Sequence, residues 1–486
     1  MKNKILINPV RSLGSIDRNL FGGFAEHLGR CIYGGMYDPG SPLADSSGMR
    51  QDVLAALRRL RMPVIRYPGG NFVSGYRWMD GVGPRAERPT RLDLAWQGVD
   101  PNSFGTDEFV AFCRQAGAEP YLAVNCGDGE MREARDWVEY CNGTQNTALV
   151  QLRRKNGSAA PHGVKYWGIG NEVDGPWQIG YKTPQEYARA FTEFGKVMKW
   201  VDPSIKLLAS ATSSWASDFF ERGQLLIEQA ADLIDYLAIH WYVGNRENDF
   251  PAYMALSELF EDRLASYEGL IRAACLARQI KRPIPIAVDE WNVWYRTGQP
   301  EMNEEVYNLE DALMTGIQMN AFIRHAAQVR MANLAQIVNV IAPIMTRPDG
   351  LVLQTIFYPF EVYSQNTGDT ALDVFWEGET FNGGSYAGVR VLDVAATLST
   401  QNKHISLFVI NRSKDQTLEA ELNLAVGAFA GPAKAYVVNG KDIKSTNTFA
   451  APGEVQTREF SLPTQNSAWV CSFEPHSVTC VVVGIK

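Results

Sequence analysis

Two glutamates, each placed where a short apolar run ends, are the residues of this chain best suited to chemistry. Residues 165–178 read KYWGIGNEVDGPWQ and residues 284–295 read IPIAVDEWNVWY, so Glu172 and Glu290 each follow such a run. Runs of this kind are typical of buried β-strands. Two carboxyl groups at the ends of two buried strands can face each other across one cleft, which is the arrangement that hydrolyses a glycosidic bond. The rest of the sequence must then provide a fold that brings the two groups together.

The composition favours a neutral substrate. The chain has 486 residues, with 46 Lys and Arg against 54 Asp and Glu, and a formal net charge of −8. Because there is neither an excess nor a long run of basic residues, nucleic acid and anionic membrane are poor candidates for partners. A neutral sugar fits better.

The cysteines and the N-terminus indicate a soluble cytoplasmic protein. The seven cysteines form no CxxC pair and are odd in number, so we expect free thiols and neither a disulfide framework nor a zinc site. The N-terminal apolar run is only three residues long, too short for a signal peptide. No stretch approaches the length of a membrane span.

Alternation of apolar runs with longer amphipathic stretches predicts a barrel. The eight candidate strands are residues 20–25, 64–67, 121–125, 166–170, 206–210, 236–240, 284–288 and 337–342. Helix-like segments lie between them, among them residues 50–60, 106–116, 184–199 and 310–327. Such alternation is typical of parallel strands buried on both faces. Eight units favour an α/β protein with a closed (β/α)8 TIM barrel over an open sheet.

The pattern changes after about residue 365, where short strand-like runs are separated by turns rich in Gly, Asn, Asp and Thr. This pattern predicts an antiparallel β-sandwich of the jelly-roll kind. Residues 3–9 precede the barrel and could add one strand to it. We therefore expect a catalytic barrel over residues 15–365 and a β-sandwich domain made of residues 1–14 and 366–486.

Polar residues lie at the predicted carboxyl ends of the barrel strands, which is where a barrel of this kind has its active site. They are Glu26 and His27 after the first strand, Asn71 after the second, Asn171 and Glu172 after the fourth, residues 240–242 after the sixth, and Asp289 and Glu290 after the seventh. Strands that served only the core would end in apolar or turn residues.

Each of these groups also has a simpler explanation. Glu172 could be a surface carboxylate that opens a helix, and Glu290 could be one that pairs with an arginine. Asp289 should point to the opposite face of its strand from Glu290, which favours a structural role. His240 could be a partner of Glu290 or a histidine satisfied by neighbours near the barrel mouth.

The sequence predicts neither a metal nor a nucleotide cofactor. The histidines His162, His325, His404 and His476 show no metal-ligand spacing. The segment from Gly168 to Gly170 lacks the third glycine of a dinucleotide fingerprint.

Several segments resemble those of glycoside hydrolase family 51, the α-L-arabinofuranosidases. They are residues 21–29 (FGGFAEHLG), 66–75 (RYPGGNFVSG), 80–84 (DGVGP), 170–178 (GNEVDGPWQ), 244–249 (GNREND), 289–295 (DEWNVWY) and 333–343 (NLAQIVNVIAP). The resemblance implies a retaining hydrolase with Glu172 as acid/base and Glu290 as nucleophile. By the same match, the sugar ring would be held by Glu26, Asn71, Asn171, Tyr242, Gln354 and Trp96.

These two roles demand opposite charge states. Glu172 would give a proton to the leaving oxygen, and Glu290 would attack the anomeric carbon as a carboxylate. Because like charges a few ångströms apart disfavour double ionisation, we expect one proton on the pair, held by Glu172. Retention requires carboxyl groups about 5–5.5 Å apart, whereas inversion requires roughly 6.5–9.5 Å. We expect the shorter distance.

The activity that the resemblance implies is exo-acting removal of terminal non-reducing α-L-arabinofuranosyl residues from oligosaccharides of arabinoxylan or arabinan, without a cofactor. An endo-acting β-1,4-glucanase or xylan-active enzyme could use the same two glutamates. A carbohydrate-binding protein that kept the barrel is a third possibility, against which the intact glutamates argue. The resemblance also implies a homo-oligomer, a hexamer.

Overall fold

The structure is a computed structural model that describes residues 3–296, 303–464 and 468–486. The strands of these residues, in chain order, are β1 (Asn3–Ser15), β2 (Gly22–Phe24), β3 (Val64–Tyr67), β4 (Arg91–Asp93), β5 (Gly98–Asp100), β6 (Glu119–Val124), β7 (Tyr166–Ile169), β8 (Lys206–Thr212), β9 (Tyr236–Val243), β10 (Ile286–Val293), β11 (Val329–Ala335), β12 (Ile344–Arg347), β13 (Gly350–Leu353), β14 (Thr370–Glu377), β15 (Thr380–Gly383), β16 (Tyr386–Arg390), β17 (Leu392–Ser399), β18 (His404–Asn411), β19 (Leu418–Leu424), β20 (Phe429–Asn439), β21 (Gln456–Leu462), β22 (Ala468–Phe473) and β23 (Ser477–Ile485).

The α-helices of the same residues are α1 (Gln51–Leu60), α2 (Thr106–Ala116), α3 (Met131–Asn142), α4 (Ala148–Lys155), α5 (Pro184–Val201), α6 (Phe219–Ala230), α7 (Phe250–Met254), α8 (Ser257–Ala277), α9 (Leu309–Arg324) and α10 (Phe357–Asn366). Local sequence explains where α5 begins. Thr183 and Glu186 exchange side-chain and backbone hydrogen bonds, and Pro184 occupies the first helical position.

The predicted (β/α)8 barrel is confirmed. Eight parallel strands close it in the order β2, β3, β6, β7, β8, β9, β10, β11. Apolar side chains fill the space between the strands and the surrounding helices. A separate layer inside the barrel takes one residue from each of six strands, namely Val64, Tyr121, Tyr166, Leu208, Ala287 and Met331.

The last barrel strand lies earlier than predicted. It is β11, Val329–Ala335, whereas residues 337–342 form bends and a turn after it. The prediction was wrong because Arg330 and Asn333 interrupt the apolar run of the true strand. Asn333 is tolerated inside the barrel because its amide donates to the carbonyl of Gly23 at 3.0 Å. The helix before it, α9, accordingly ends at Arg324 and not at residue 327.

The strands on either side of the expected site also run further than predicted. β10 extends to Val293, so Glu290 lies within a strand and not at its end. β9 extends to Val243 and contains both His240 and Tyr242. The two strands pair with Glu290 opposite His240, after a register shift between Ala287 and Glu290. Irregularities of this kind redirect side chains and are common beside active sites.

The C-terminal part forms the predicted β-sandwich domain. Nine strands make one sheet in the order β21, β20, β23, β18, β17, β14, β1, β19, β22. As predicted, residues 3–9 contribute to it: β1 pairs antiparallel with β14 and parallel with β19. The strands enclose an apolar core of their own. The sheet also packs on the barrel helices, where Tyr363 of α10 stacks on Phe408 of β18 with ring centroids 4.1 Å apart.

Two further expectations concern the chain as a whole. All seven cysteines are free thiols, as predicted, and six of them are buried. Among the described residues, none of the helices has the length and apolar character needed to cross a membrane.

Candidate active site

Glu172 and Glu290 come together across the barrel, with Glu172 after the end of β7 and Glu290 within β10. Glu172 follows β7 in a turn where Gly170 has φ +77° and Glu172 itself has φ +43°. A positive φ is unfavourable for a residue with a side chain and is characteristic of functional sites. One carboxylate oxygen of Glu172 lies within 4.8 Å of one of Glu290. The two carboxyl groups therefore face each other at close range.

Glu290 accepts two short hydrogen bonds, one from the buried Arg66 and one from the half-buried Tyr242. Arg66 Nη1 donates to Oε1 at 2.6 Å, and the hydroxyl of Tyr242 donates to Oε2 at 2.8 Å. Burial lowers the pKa of Arg66, but the carboxylates of Asp289 and Glu290 outweigh it and hold the pKa above its ordinary value. These two bonds fix the orientation of the Glu290 carboxyl group. The position therefore suits a nucleophile.

Glu172 has a different environment. Nδ1 of His240 lies 3.1 Å from its Oε1, and the indole nitrogen of Trp177 donates to its Oε2 at 2.8 Å. The side chain of Glu172 is 14% exposed, against 5% for Glu290. The more accessible of the two carboxyl groups is the one that can exchange a proton with a leaving group or with water.

His240 connects this pair to Asp289. Its Nδ1 lies 3.6 Å from Oε1 of Glu290, and its Nε2 lies 3.0 Å from Oδ1 of Asp289. Burial lowers the pKa of His240, but the charges of Glu290 and Asp289 outweigh it and raise the pKa to about 10. His240 therefore lies against both glutamates, and Glu172 and Asp289 satisfy its two ring nitrogens.

Asp289 contacts the Nε2 side of the His240 ring. The hydroxyl of Tyr121 donates to its Oδ2 at 2.8 Å, and Nε of Arg66 lies 3.6 Å from the same oxygen. Burial raises the pKa of Asp289, but Arg66 and His240 outweigh it and lower the pKa below its ordinary value. The aspartate therefore balances the charge on the imidazole.

Glu26 is the third buried carboxyl group of the site. It accepts from the backbone N–H of Phe72 at 3.0 Å, from the indole of Trp96 at 3.0 Å and from the amide of Gln336 at 3.1 Å. Burial raises the pKa of Glu26 to about 8; the Phe72 amide opposes this shift and the charge of Glu290 adds to it. At neutral pH the group holds a proton that it can donate to a ligand oxygen.

A cavity of about 470 Å³, the catalytic cavity, opens over these carboxyl groups. Six of the eight predicted site residues line it, namely Glu26, Asn71, Trp96, Glu172, Tyr242 and Glu290. Several lining residues were not predicted, among them Trp177, Ser213, Trp294, Asn303 and Gln336. Ser213 and Gln336 follow β8 and β11, so their positions after strands could have indicated them. Asn303 gives no such signal.

Asn171 and Gln354 do not line the catalytic cavity. The buried Asn171 accepts from Nη2 of Arg66 at 2.6 Å through Oδ1, while its Nδ2 has no hydrogen-bond partner among the described residues. Gln354 donates to the carbonyls of Glu305 and Ala342 and accepts from the backbone N–H of Tyr307. Gln354 thus holds the backbone around the cavity together.

Within the described residues, one group of three side chains lies close enough together to be compared with a metal site: Glu172, His240 and Glu290. A metal ligand must offer a lone pair, which an imidazolium lacks. His240 has both ring nitrogens engaged with carboxylates, and its pKa is raised to about 10 by Glu290 and Asp289 against the effect of burial. These three side chains are therefore suited to holding and transferring a proton and not to binding a metal ion.

Comparisons with known proteins agree with this geometry. The α-L-arabinofuranosidase 1 domain matches residues 56–258, and the α-L-arabinofuranosidase C-terminal domain matches residues 289–477. The intracellular exo-α-(1→5)-L-arabinofuranosidase 1 of Bacillus subtilis is 39% identical over 459 residues, which cover 92% of each chain. The crystal structure of the Thermotoga maritima α-L-arabinofuranosidase in its arabinose complex matches with a TM-score of 0.93 and 38% identity over 99% of both chains. The GH51 α-L-arabinofuranosidase of Thermotoga petrophila RKU-1 also matches with a TM-score of 0.93 and 38% identity, over 99% of this chain and 100% of that one.

A closed (β/α)8 barrel with two carboxyl groups facing one cavity at its mouth is the architecture of a glycoside hydrolase. The sequence identity and the near-complete coverage narrow this class of enzymes to one family. The chain belongs to glycoside hydrolase family 51, the α-L-arabinofuranosidases, which confirms the resemblance noted from the sequence.

Proposed function

We propose that the protein is a retaining, exo-acting α-L-arabinofuranosidase that removes terminal non-reducing α-L-arabinofuranosyl residues from oligosaccharides of arabinoxylan or arabinan. One observation carries the proposal: oxygens of Glu172 and Glu290 lie within 4.8 Å of each other beside a cavity of about 470 Å³. Cavities of roughly 300–1,000 Å³ suit small ligands. The B. subtilis relative is named as an exo-enzyme, and the T. maritima relative was crystallised with arabinose.

In the first step, Glu290 acts as the nucleophile. A carboxylate oxygen forms a bond to the anomeric carbon as the bond from that carbon to the leaving oxygen breaks. The leaving oxygen takes a proton from Glu172 and departs as an alcohol. Arg66 and Tyr242 orient Glu290 for this attack through their hydrogen bonds of 2.6 and 2.8 Å.

In the second step, Glu172 acts as the base. Its carboxylate takes a proton from water, and the water oxygen attacks the anomeric carbon while the ester bond to Glu290 breaks. Glu290 regains its charge and Glu172 its proton, and arabinose leaves with its original anomeric configuration. Two displacements at one carbon give retention, which is the course expected of the family.

The ring is proposed to lie between Glu26, Asn71, Trp96 and Tyr242, which line the catalytic cavity with the two glutamates. Protonated Glu26 can donate to a ring hydroxyl, and the faces of the indole can pack against apolar ring carbons. Asn171, which stays a predicted sugar contact, accepts a hydrogen bond from Arg66 and so also helps to orient the cation that binds Glu290. Gln354, which binds backbone groups, would act by holding the cavity wall.

The domain limits, the cellular location and the oligomeric state are also proposals. We place the barrel domain at residues 15–365 and the sandwich at residues 1–14 and 366–486; β1 ends at Ser15 and α10 at Asn366, which supports these limits. An intracellular location agrees with the name of the B. subtilis relative. Assembly into a hexamer is expected from the family and can be measured by sedimentation velocity.

The test is hydrolysis of 4-nitrophenyl α-L-arabinofuranoside and of arabino-oligosaccharides, with product analysis. The proposal predicts turnover of the glycoside and, from the first minutes of digestion of an oligosaccharide, release of arabinose together with the oligosaccharide that is one residue shorter. Removal of one residue at a time from the chain end defines exo action. Glu290→Ala should abolish both reactions and leave the folded protein intact.

Other outcomes would overturn parts of the proposal. No turnover of the arabinofuranoside, with mid-chain cleavage of a β-1,4-glucan or xylan, would establish the endo-acting alternative. Saturable binding of these glycans with no cleavage of any would establish a binding protein.

A further inference from the structure

The loop between β20 and β21 of the sandwich, residues 440–455, reaches the barrel beside the catalytic cavity; we name it the sandwich loop. The backbone N–H of Glu310, in the first turn of α9, donates to the carbonyl of Ile443 at 3.0 Å. The amide of Asn447 donates to the carbonyl of Leu353, at the end of β13, at 3.0 Å. The sandwich domain therefore contacts the barrel on the side where the carboxyl ends of its strands lie.

Lys444 of the sandwich loop forms an ion pair with Glu310 of the barrel. Its Nζ donates to Oε1 of Glu310 at 2.6 Å and to Oδ1 of Asn248 at 2.7 Å. The side chain of Glu310 is fully buried, whereas that of Lys444 is 46% exposed. A buried carboxylate requires an opposite charge and hydrogen-bond donors. Lys444 supplies both from the other domain.

The barrel has little positive charge of its own near Glu310. Glu305 and Asp311 are buried close to it, and Arg296 is the barrel cation that approaches all three carboxyl groups. The guanidinium of Arg296 lies 2.9 Å from Asp311 but 3.8 Å from Glu310. Among the described residues, Lys444 is therefore the cation closest to Glu310.

Glu310 in turn connects the segments that follow β9 and β10. Its Oε2 accepts from the amide of Asn245 at 3.3 Å, and its Oε1 accepts from the hydroxyl of Tyr295 at 3.3 Å. Tyr295 also packs on Gly244, where an added Cβ would lie 2.3 Å from the Cβ of Tyr295, so only glycine permits this approach. Glu310 thus holds the ends of the two strands against each other.

These two strand ends form one wall of the catalytic cavity. Tyr242 and Trp294 both line it, with their rings edge to face and the centroids 5.5 Å apart. Tyr242 is held separately by its bond to Glu290 at 2.8 Å. Trp294 directly precedes Tyr295 in the chain, so a shift of Tyr295 moves Trp294 first.

We propose that the sandwich domain helps to shape the catalytic cavity, with Lys444 as a positioning residue that acts through Glu310 and Tyr295 on the ring of Trp294. Lys444 itself does not line the cavity. The consequence for catalysis rests on the proposed function, whereas the effect on the position of Trp294 rests on these contacts alone.

The test compares Lys444→Met with the wild type by steady-state kinetics on 4-nitrophenyl α-L-arabinofuranoside and by a crystal structure of the variant. The ring of Trp294 should be displaced, and KM should rise roughly 2- to 10-fold, as for the loss of one contact. A wall that contacts the sugar equally in the ground and transition states contributes to KM and not to kcat, so kcat should be unchanged. A smaller folded fraction would lower the apparent kcat and leave KM as it was.

Three further variants define the cause. Lys444→Arg keeps the charge and should have the wild-type KM. Lys444→Gln removes the charge but keeps a donor; it should also raise KM, and it replaces Lys444→Met if that variant does not fold. Lys441→Met is the matched control, because Lys441 is an exposed lysine of the same loop, and it should leave KM unchanged.

An unchanged KM in Lys444→Met, or a Trp294 ring that keeps its place, would overturn the proposal. An equal rise of KM in Lys441→Met would also overturn it, because the effect would then belong to the charge of the loop as a whole. The two proposals fail separately. A protein that does not cleave the nitrophenyl glycoside, but in which Lys444→Met displaces Trp294, would refute the proposed function only. Normal turnover in the wild type, with KM and the Trp294 ring unchanged in Lys444→Met, would refute the role of Lys444 only.

Discussion

Nδ1 of His240 lies 3.1 Å from Oε1 of Glu172, so the group proposed as acid/base shares a hydrogen bond with a buried imidazole. The other ring nitrogen is 3.0 Å from Asp289, and this aspartate and Glu290 hold the proton on the ring against the cost of burial. The two glutamates therefore share the site with two cations, His240 and Arg66.

The proton on His240 makes stability depend on pH. The pKa of His240 is about 10 in the folded protein because Glu290 and Asp289 outweigh burial, against an ordinary value of 6.5. The folded state thus binds this proton more tightly than the unfolded state, so the stabilisation is complete below pH 6.5 and is lost as the pH rises through about 10. The free energy of unfolding of the wild type, measured by urea denaturation relative to His240→Gln, should fall across this window. A difference that is independent of pH would contradict the assignment.

Glu26 should give a second pH effect in a lower window. Burial raises its pKa from 4.5 to about 8, so the folded state keeps a proton that the unfolded state has released. The free energy of unfolding should therefore decrease as the pH rises from 4.5 towards 8, by an amount on the order of a few kcal/mol. Glu26→Gln lacks this titration. Its melting temperature relative to the wild type should rise between pH 5 and pH 9, whereas parallel curves would show that Glu26 is ionised throughout.

Tyr242→Phe tests the hydroxyl that donates to Glu290 at 2.8 Å. Hydrogen bonds to charged groups contribute about 1.5–3 kcal/mol, which corresponds to a loss of roughly 10- to 150-fold in kcat/KM. Steady-state kinetics on 4-nitrophenyl α-L-arabinofuranoside measure it. Tyr236→Phe, at the opposite end of β9, is the control and should be unchanged. Equal activity of both variants would remove Tyr242 from the mechanism.

Arg66→Met tests the buried cation. Arg66 donates to Glu290 and Asn171, and it lies 3.6 Å from Asp289. Removing one partner of a buried pair leaves a charge without compensation, at a cost of about 3–5 kcal/mol in the free energy of unfolding. Arg59→Met removes a half-exposed pair with Glu361 and should cost only about 0–1 kcal/mol. Similar losses in the two variants, measured by urea denaturation, would contradict the account of Arg66.

The barrel could be predicted because its strands and helices differ in period, and a period is a local property of the sequence. The position of the eighth strand could not be predicted. One of the polar residues that interrupt it, Asn333, is tolerated because its amide donates to the carbonyl of Gly23, some three hundred residues away in the chain. The error had a consequence for the site. Gln336, which follows the true strand and bonds to Glu26, was not recognised.

The carboxyl pair was predictable because each glutamate follows a distinct apolar run. The hydrogen-bond partners around the pair were not predictable. Asp289 was expected to be structural because it neighbours Glu290 on a strand, yet its bond to His240 makes it part of the charge arrangement of the site. Gln354 stays a predicted sugar contact, and its amide hydrogen bonds in the structure go to backbone groups. Contacts between distant segments, which no local pattern shows, set both environments.

Glu290 is proposed as the nucleophile and Glu172 as the acid/base of a retaining reaction. The most direct measurement adds azide to Glu172→Ala acting on 4-nitrophenyl α-L-arabinofuranoside, and follows both the rate and the anomeric configuration of the product by NMR. A nitrophenolate leaves without an acid, so the glycosyl ester on Glu290 should form, and azide should release it faster than water alone. The account predicts rescue of turnover and an arabinofuranosyl azide of the α configuration. A β-azide would place the nucleophile at Glu172, and rescue of Glu290→Ala in place of Glu172→Ala would exchange the two roles.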